Sequence, residues 1–159
     1  MTTSGNHDIV LPPEFSGEAQ FILYTRYGDP MADGWENKWI TDWDVQDFFP
    51  WFPVKQIRVH KHFRPLLNAA FTYLEQDGLH VEIKTFDDGF NLRNIKGSMS
   101  VLSVHSWGAA IDINAGDNPL GSTGKWSKEF IEAMTMNQIF CGQNWTGRKD
   151  PMHFAMIDG

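Results

Sequence analysis

The clearest pattern of apolar and polar residues lies between Val59 and Leu74, where apolar residues recur every three or four positions. Because 3.6 residues make one turn of an α-helix, this spacing places the apolar side chains on one face. Pro65 suits the first turn of a helix, where a backbone donor has no partner in any case. The pattern therefore predicts a helix whose regular part begins near Arg64 and which ends at Gly78.

Two further segments have a helical spacing of apolar residues. Trp35, Trp39 and Trp43 recur every four positions, which predicts that they share one helical face. The apolar residues of 126–140 predict another helix, which ends before Gly142.

Alternation of apolar and polar residues, which is typical of a strand with one buried face, occurs elsewhere in the chain. It predicts strands at 79–84, 109–114 and 152–156, and the apolar run 21–24 is either a strand or a packed arm. The chain has no internal repeat, low-complexity tract or linker. We therefore expect one α+β domain that spans residues 1–159.

Composition and charge exclude several classes of function. The net charge is −7 and there is no block of Lys and Arg, so nucleic-acid binding is not expected. No apolar run approaches the roughly 20 residues of a membrane span. The polar N-terminus lacks the features of a signal peptide, so we expect synthesis in the cytoplasm without membrane insertion. The single cysteine, Cys141, is expected to be a small buried residue at a helix end, and no feature requires more than a monomer.

Two histidines and two aspartates form the constellation with the clearest chemistry. His105 is followed seven positions later by Asp112, and His153 is preceded three positions earlier by Asp150. Two imidazoles and one carboxylate make a three-ligand zinc shell that leaves the fourth position for water. A further carboxylate beside that water can take its proton, which is what a hydrolase requires.

His105 and Asp112 can bind one ion only if the chain turns between them. On a straight strand, seven residues span roughly 23 Å, and an odd separation places the two side chains on opposite faces of the sheet. Gly108 lies between them and permits the turn. Beyond the turn, Asp112 is expected to lie on the strand face opposite to Ile111 and Ile113, whose side chains face the core.

The chain resembles the VanY-like D-alanyl-D-alanine carboxypeptidase family in two motifs: Ser103-x-His105-x-x-Gly108-x-Ala110-x-Asp112-Ile113 and Asp150-x-x-His153-Phe154. Within that family it is most similar to the phage L-alanyl-D-glutamate peptidases that serve as endolysins. Three further segments match that branch, the last of them more weakly: Arg93-x-Ile95-x-Gly97-Ser98, Asn118-Pro119-Leu120-Gly121 and Gly28-Asp29-Pro30.

The resemblance implies that His105, Asp112 and His153 bind Zn²⁺ and that Asp150 is the catalytic base. It also implies a small antiparallel sheet flanked by helices with zinc in a groove on the sheet, the LAS-type fold of hedgehog-like D-Ala-D-Ala peptidases. Many relatives carry a glutamate two residues after the last histidine, whereas this chain has Ala155. Residue 155 shares a strand face with residue 153, so a contact to the metal site or to the substrate is expected to differ.

Three more residues are expected to support the reaction. Arg93 is a candidate for binding a substrate carboxylate or the oxyanion of the cleaved amide, and the alternative is a solvated strand end. Ser103 is expected to hydrogen-bond the metal site or the substrate backbone. Trp107 is expected to line the substrate groove, with packing in the core as the alternative.

These features predict a zinc-dependent peptidoglycan peptidase, a phage endolysin that cuts the L-Ala–D-Glu bond of the stem peptide. The branch implies release from the host cytoplasm through a holin-type lesion. One alternative is a D-Ala–D-Ala carboxypeptidase with the same metal chemistry, which needs a closed groove end that clamps a terminal carboxylate. A less favoured alternative is a non-catalytic cell-wall-binding module with a structural zinc, against which Asp150 argues.

Two other patterns suggest further sites, but each has a simpler interpretation. His60-x-His62 would bind a second metal on a strand, yet the surrounding helical period favours a solvated helix face. The Trp35, Trp39 and Trp43 stripe would make a glycan platform, yet packing in the core is favoured.

Overall fold

The computed structural model describes residues 11–159. The polar N-terminal segment, which we expect not to be a signal peptide, lies outside that range. The described chain contains helices α1 (Glu18–Tyr27), α2 (Trp35–Trp39), α3 (Arg64–Gln76) and α4 (Lys128–Met136). Its strands are β1 (Ile40–Trp43), β2 (Ile57–His60), β3 (Phe86–Asp88), β4 (Ala110–Ile113), β5 (Phe140–Gly142) and β6 (Asp150–Ala155). Short 3₁₀ helices span Pro13–Phe15, Val45–Asp47, Leu79–Glu82 and Val104–Trp107.

The strands form two antiparallel sheets, and the α+β class is confirmed. Strands β1 and β2 make a two-stranded sheet, and the larger sheet has the order β3-β4-β6-β5. The strands predicted at 109–114 and 152–156 are its two central members, β4 and β6. Their register pairs Ile111 with Phe154 and Asp112 with His153. No helix within residues 11–159 is long and apolar enough to cross a membrane.

The two faces of the larger sheet pack against different apolar clusters. Ile111 and Ile113 belong to the cluster that contains buried residues of α3 and α4. Ala110 belongs to the second cluster, which contains buried residues of α1. Because side chains alternate along a strand, Asp112 lies on the face of Ala110. Strand β4 is therefore buried on both faces, rather than half-buried as its sequence suggests.

The helix predicted from Arg64 is α3, and a strand that the sequence pattern does not indicate precedes it. Val59 fits the helical period, yet it belongs to β2, which pairs with β1. The helix predicted over 126–140 is shorter than expected, because the chain leaves α4 at Met136 and enters β5. Cys141 therefore lies on a strand and not at a helix end. It is buried there, and burial raises the pKa of its thiol to about 12.

Three shorter predictions also need correction. Residues 21–24 lie inside α1, which starts after Gly17 and ends before Gly28. Trp35 and Trp39 lie on α2, whereas Trp43 lies on β1, so the three do not share one helical face. Trp35 and Trp43 are both buried, which agrees with packing in the core.

The segment 79–84 contains a 3₁₀ helix instead of a strand. Backbone groups of this segment form hydrogen bonds with the side chain of Asn114 instead of with a neighbouring strand. The Asn114 amide donates to the Glu82 carbonyl at 2.6 Å and accepts from the backbone N–H of Lys84 at 2.7 Å. Asn114 itself has a positive φ of 52°, just past the end of β4.

His60 is buried at the end of β2 and does not lie on a solvated helix face. Its ring lies 4.1 Å from that of Tyr27 and stacks 5.2 Å from that of Trp39. Its Nδ1 accepts the backbone N–H of His62 at 3.0 Å. Its Nε2 has no hydrogen-bond partner among the residues that the structure describes. Burial lowers the pKa of His60 to about 3, and the charges of His62 and Lys61 add to this effect.

The turn at Gly108 is confirmed and connects the two sheets. Gly108 has a φ of 67°, in the left-handed region, and its carbonyl accepts the backbone N–H of His60 at 2.8 Å. A Cβ at residue 108 would lie 2.6 Å from the His60 nitrogen and 2.6 Å from Cδ1 of Ile40. Both the backbone conformation and the space at this turn therefore require glycine.

We expect Gly108→Ala to lower the free energy of unfolding by about 3 kcal/mol or more, because a positive φ and a backbone clash act together. Urea unfolding measures the loss. Gly116→Ala is the matched control, since a Cβ there meets no atom within 4 Å. Equal stability of the two variants would show that the turn tolerates a side chain.

His60 should make the fold acid-sensitive. Because the folded-state pKa is depressed, the unfolded chain binds a proton below pH 6.5 while the folded chain does not, so stability falls as the pH drops from about 6.5 towards 3. The His60 contribution lost between pH 7 and pH 5 is about 2 kcal/mol. Denaturant unfolding of wild type and His60→Gln measures it. A difference between the two proteins that stays constant with pH would contradict this expectation.

Candidate metal centre

Three structural elements bring together the side chains of His105, Asp112 and His153. Asp112 and His153 are direct cross-strand partners on β4 and β6. His105 lies on the 3₁₀ helix that precedes the Gly108 turn, and the Ser103 side chain caps this helix by accepting the His105 N–H at 3.2 Å. All three residues are buried, and one potential ligand atom from each lies within 4.8 Å of the others.

Backbone carbonyls fix which nitrogen of each imidazole faces the centre. Nδ1 of His105 donates to the Gly89 carbonyl at 2.8 Å, and Nε2 of His153 donates to the Gly159 carbonyl at 2.8 Å. Because a carbonyl only accepts, each contacted nitrogen must carry its proton. The other nitrogens, Nε2 of His105 and Nδ1 of His153, lie 3.2 and 3.6 Å from Oδ1 of Asp112.

This donor set fits zinc. Once Nε2 of His105 and Nδ1 of His153 have lost any proton that they donate to Asp112, two imidazole nitrogens and one carboxylate oxygen are ligands that Zn²⁺ prefers, and three protein ligands leave a position for a reactant. Carbonyls that accept from the far side of each ring are the usual means of orienting ligand histidines. The three ligand atoms converge within 4.8 Å of one another, which is an arrangement that a bound metal ion would satisfy.

The electrostatics of the centre favour an ionised Asp112. Burial alone would raise the pKa of this carboxyl, but the hydrogen bonds and charges of His105 and His153 hold it below its ordinary value. Burial likewise opposes a charge on His105, yet the hydrogen bond and charge of Asp112 leave the His105 pKa raised. Asp112 is thus the anion around which both imidazoles are arranged.

Asp150 lies beside the three residues at the start of β6. Its Oδ1 is buried and has no hydrogen-bond partner within residues 11–159. Burial raises the pKa of Asp150, and the charge of Asp112 adds to the effect, while the charges of His153, His105 and Arg93 oppose it. A buried carboxylate oxygen without a partner can accept a proton from a water molecule at the centre.

These residues line one cavity of about 730 Å³, together with Arg93 and Ser103. Nη2 of Arg93 lies 3.5 Å from Oδ2 of Asp88 and 4.0 Å from Oδ2 of Asp112. Arg93 is therefore placed beside the centre, and it is not a fully solvated strand end.

Trp107 does not reach the cavity, so the expectation that it contacts the substrate needs correction. Its side chain is wholly buried in the second apolar cluster, and its indole N–H donates to the Gly28 carbonyl at 2.9 Å. Trp107 follows His105 by two residues on a 3₁₀ helix, where side chains two positions apart point in different directions.

The structure adds contacts that the sequence does not reveal. The Gly159 carbonyl orients His153, while Ala155 is wholly buried in the second apolar cluster. The Trp145 ring packs 5.4 Å from that of His153, and its indole N–H donates to Asp158 at 3.1 Å. No pattern in the sequence indicates that Gly89 binds His105.

A family model described as D-alanyl-D-alanine carboxypeptidase matches residues 96–156 of the chain. The matched segment contains His105, Asp112, Asp150 and His153, and it begins after Arg93. The match covers less than half of the chain, and over that part it supports the family that the two motifs indicate. The comparisons with curated proteins and with solved structures gave no match.

We expect the protein to bind about one equivalent of zinc and to lose this binding in Asp112→Asn, because the amide carries no charge to hold the ion. The loss of affinity should exceed the roughly 10–100-fold cost of removing an orienting partner of a ligand. Elemental analysis and the zinc-dependent rise in Tm measure it. Asp117→Asn is the matched control, and unchanged zinc content in Asp112→Asn would contradict the assignment.

Proposed function

We propose that the protein is a zinc-dependent peptidoglycan peptidase that hydrolyses the L-Ala–D-Glu bond of the stem peptide. The observation that carries this proposal is the meeting of His105, Asp112 and His153 with the unpartnered Asp150 oxygen in one cavity. A structural metal centre would have no use for a buried carboxylate beside its ligands.

In this proposal His105 would hold the ion through Nε2, His153 through Nδ1 and Asp112 through its carboxylate. When bound, zinc polarises the scissile carbonyl and acidifies the attacking water. The carbonyls of Gly89 and Gly159 keep both imidazoles in the tautomer that this role requires.

Asp150 is the base of the proposed reaction. Its Oδ1 takes one proton from the water as the oxygen attacks the carbonyl carbon, and then delivers that proton to the nitrogen of the leaving amine. The peptide C–N bond breaks, the second water proton also passes to the leaving nitrogen, and the products are a carboxylate and an ammonium group. The raised pKa of Asp150 suits a group that must both accept and return a proton.

Arg93 and Ser103 are the proposed substrate contacts. The Arg93 guanidinium lies beside Asp112 and can stabilise the negative charge that develops on the carbonyl oxygen, or bind a substrate carboxylate. The Ser103 hydroxyl already accepts the His105 N–H, so in the proposed complex it donates its proton to the substrate backbone.

The choice of an internal bond rests on two observations. The motifs around Arg93 and Asn118 match the endolysin branch, and this likeness also supports a role in host lysis. The cavity volume lies in the range of roughly 300–1,000 Å³ that takes drug-sized ligands, so it can hold several residues of a stem peptide. The description of the matched family favours the D-Ala–D-Ala carboxypeptidase as second candidate.

Digestion of purified peptidoglycan by metal-free and zinc-reloaded protein tests the proposal, with mass spectrometry of the products. We expect zinc to restore the release of stem peptides that begin at D-Glu, with L-Ala left on muramic acid. Loss of a terminal D-Ala alone would identify the carboxypeptidase. No cleavage by a folded, zinc-loaded protein would leave a cell-wall-binding module.

Asp150→Asn separates catalysis from metal binding in the same assay. It should keep its zinc and lose roughly 10²–10⁴-fold in kcat, which is the range that a general base contributes. Asp117→Asn serves again as the control. Full activity of Asp150→Asn would show that another group takes the proton.

A further inference from the structure

Two basic residues, Lys96 and Arg148, line the cavity without a role in the metal centre. Neither forms an ion pair with an acid of the described chain, whereas Arg93 lies near both Asp88 and Asp112. The same cavity is also lined by four aspartates, Asp87, Asp88, Asp112 and Asp150, but none of them pairs with Lys96 or Arg148. The two cations therefore keep a local positive charge that an anionic ligand can neutralise.

The backbone around Lys96 is held in place by a short hairpin. Residues 94–102 form a hairpin in which the Ile95 N–H donates to the Val101 carbonyl at 2.8 Å. Gly97 has a φ of 90° at its tip, and the Ser98 hydroxyl accepts the backbone N–H of Val101 at 2.9 Å.

Arg148 joins this hairpin to the loop between β5 and β6. Its Nη2 donates to the Lys96 carbonyl at 3.0 Å, across 52 positions of sequence. A guanidinium has five N–H donors, so the others stay available to a ligand. This hydrogen bond also places the Arg148 guanidinium next to the backbone of Lys96.

We propose that Lys96 and Arg148 form a carboxylate-binding subsite that selects acidic stem peptides, an inference that rests on the proposed function. A stem peptide with L-Lys at its third position carries carboxylates in two places, on the D-Glu residue and at its C-terminus. A planar guanidinium can bind a carboxylate with two parallel hydrogen bonds, and the ammonium adds a point charge. Amidation of the carboxylate that binds there would remove its negative charge, and the subsite would then no longer favour that peptide.

Three synthetic pentapeptides of sequence L-Ala-γ-D-Glu-L-Lys-D-Ala-D-Ala distinguish the two sources of the carboxylate. The first is unmodified, the second has D-isoglutamine in place of D-Glu, and the third has a C-terminal amide. Cleavage by the zinc-loaded protein gives kcat and KM for each. We expect one amidation to raise KM about tenfold while kcat stays within about twofold, since charge-assisted hydrogen bonds act on binding.

The double variant Lys96→Gln/Arg148→Gln tests whether these two residues cause the preference. It should raise KM for the unmodified peptide about tenfold and leave KM for the sensitive amidated peptide unchanged. The double variant Lys125→Gln/Lys128→Gln removes the same charge outside this cavity and should behave as wild type. Because Lys96 and Arg148 are exposed, the wild-type preference should also weaken as salt is raised.

The outcomes separate this inference from the proposed function. Sensitivity to D-isoglutamine assigns the subsite to the D-Glu carboxylate, and sensitivity to the C-terminal amide assigns it to the terminal carboxylate. If neither amidation changes KM, and Lys96→Gln/Arg148→Gln has the same KM as the control variant, the proposed subsite is wrong. The proposed peptidase activity would be unaffected by that result. If no peptide is cut, calorimetric binding of the same peptides to the zinc-loaded protein tests the subsite alone.

Discussion

The register of β4 against β6 is the constraint on which the site depends. It sets Asp112 directly opposite His153 on the sheet face that α3 and α4 do not cover. A slip by one residue would exchange the faces, send these polar groups into the apolar cluster around Ile111, and expose that cluster's own residues. Hydrophobic packing on one side of the sheet thus determines where two ligands meet on the other.

The third ligand depends on the smaller sheet. The hydrogen bond from His60 to the Gly108 carbonyl anchors the turn that carries His105 back towards β4. His60 in turn is enclosed by Tyr27 and Trp39, which belong to α1 and α2. The N-terminal third of the described chain therefore supports the centre without supplying a ligand, although the family match begins only at residue 96.

Those features of the fold that depend on local sequence alone could be predicted. Gly108, the period of α3 and the alternation in β4 and β6 each have a local cause, so they could be predicted. The strand β2 could not be predicted, because Val59 fits a helical period equally well. Only the pairing of β2 with β1 makes this segment a strand. The burial of Trp107 and the contact between Gly159 and His153 could not be predicted for a related reason: both are set by distant parts of the fold.

The buried thiol on β5 has a consequence for chemical durability. Only a thiolate attacks disulfides or reacts readily with oxidants, and a pKa of about 12 leaves on the order of one thiolate in 10⁵ molecules at pH 7. Cys141 is also the sole cysteine of the sequence and is shielded from solvent. In the folded protein this thiol is therefore poorly placed to form mixed disulfides or covalent dimers.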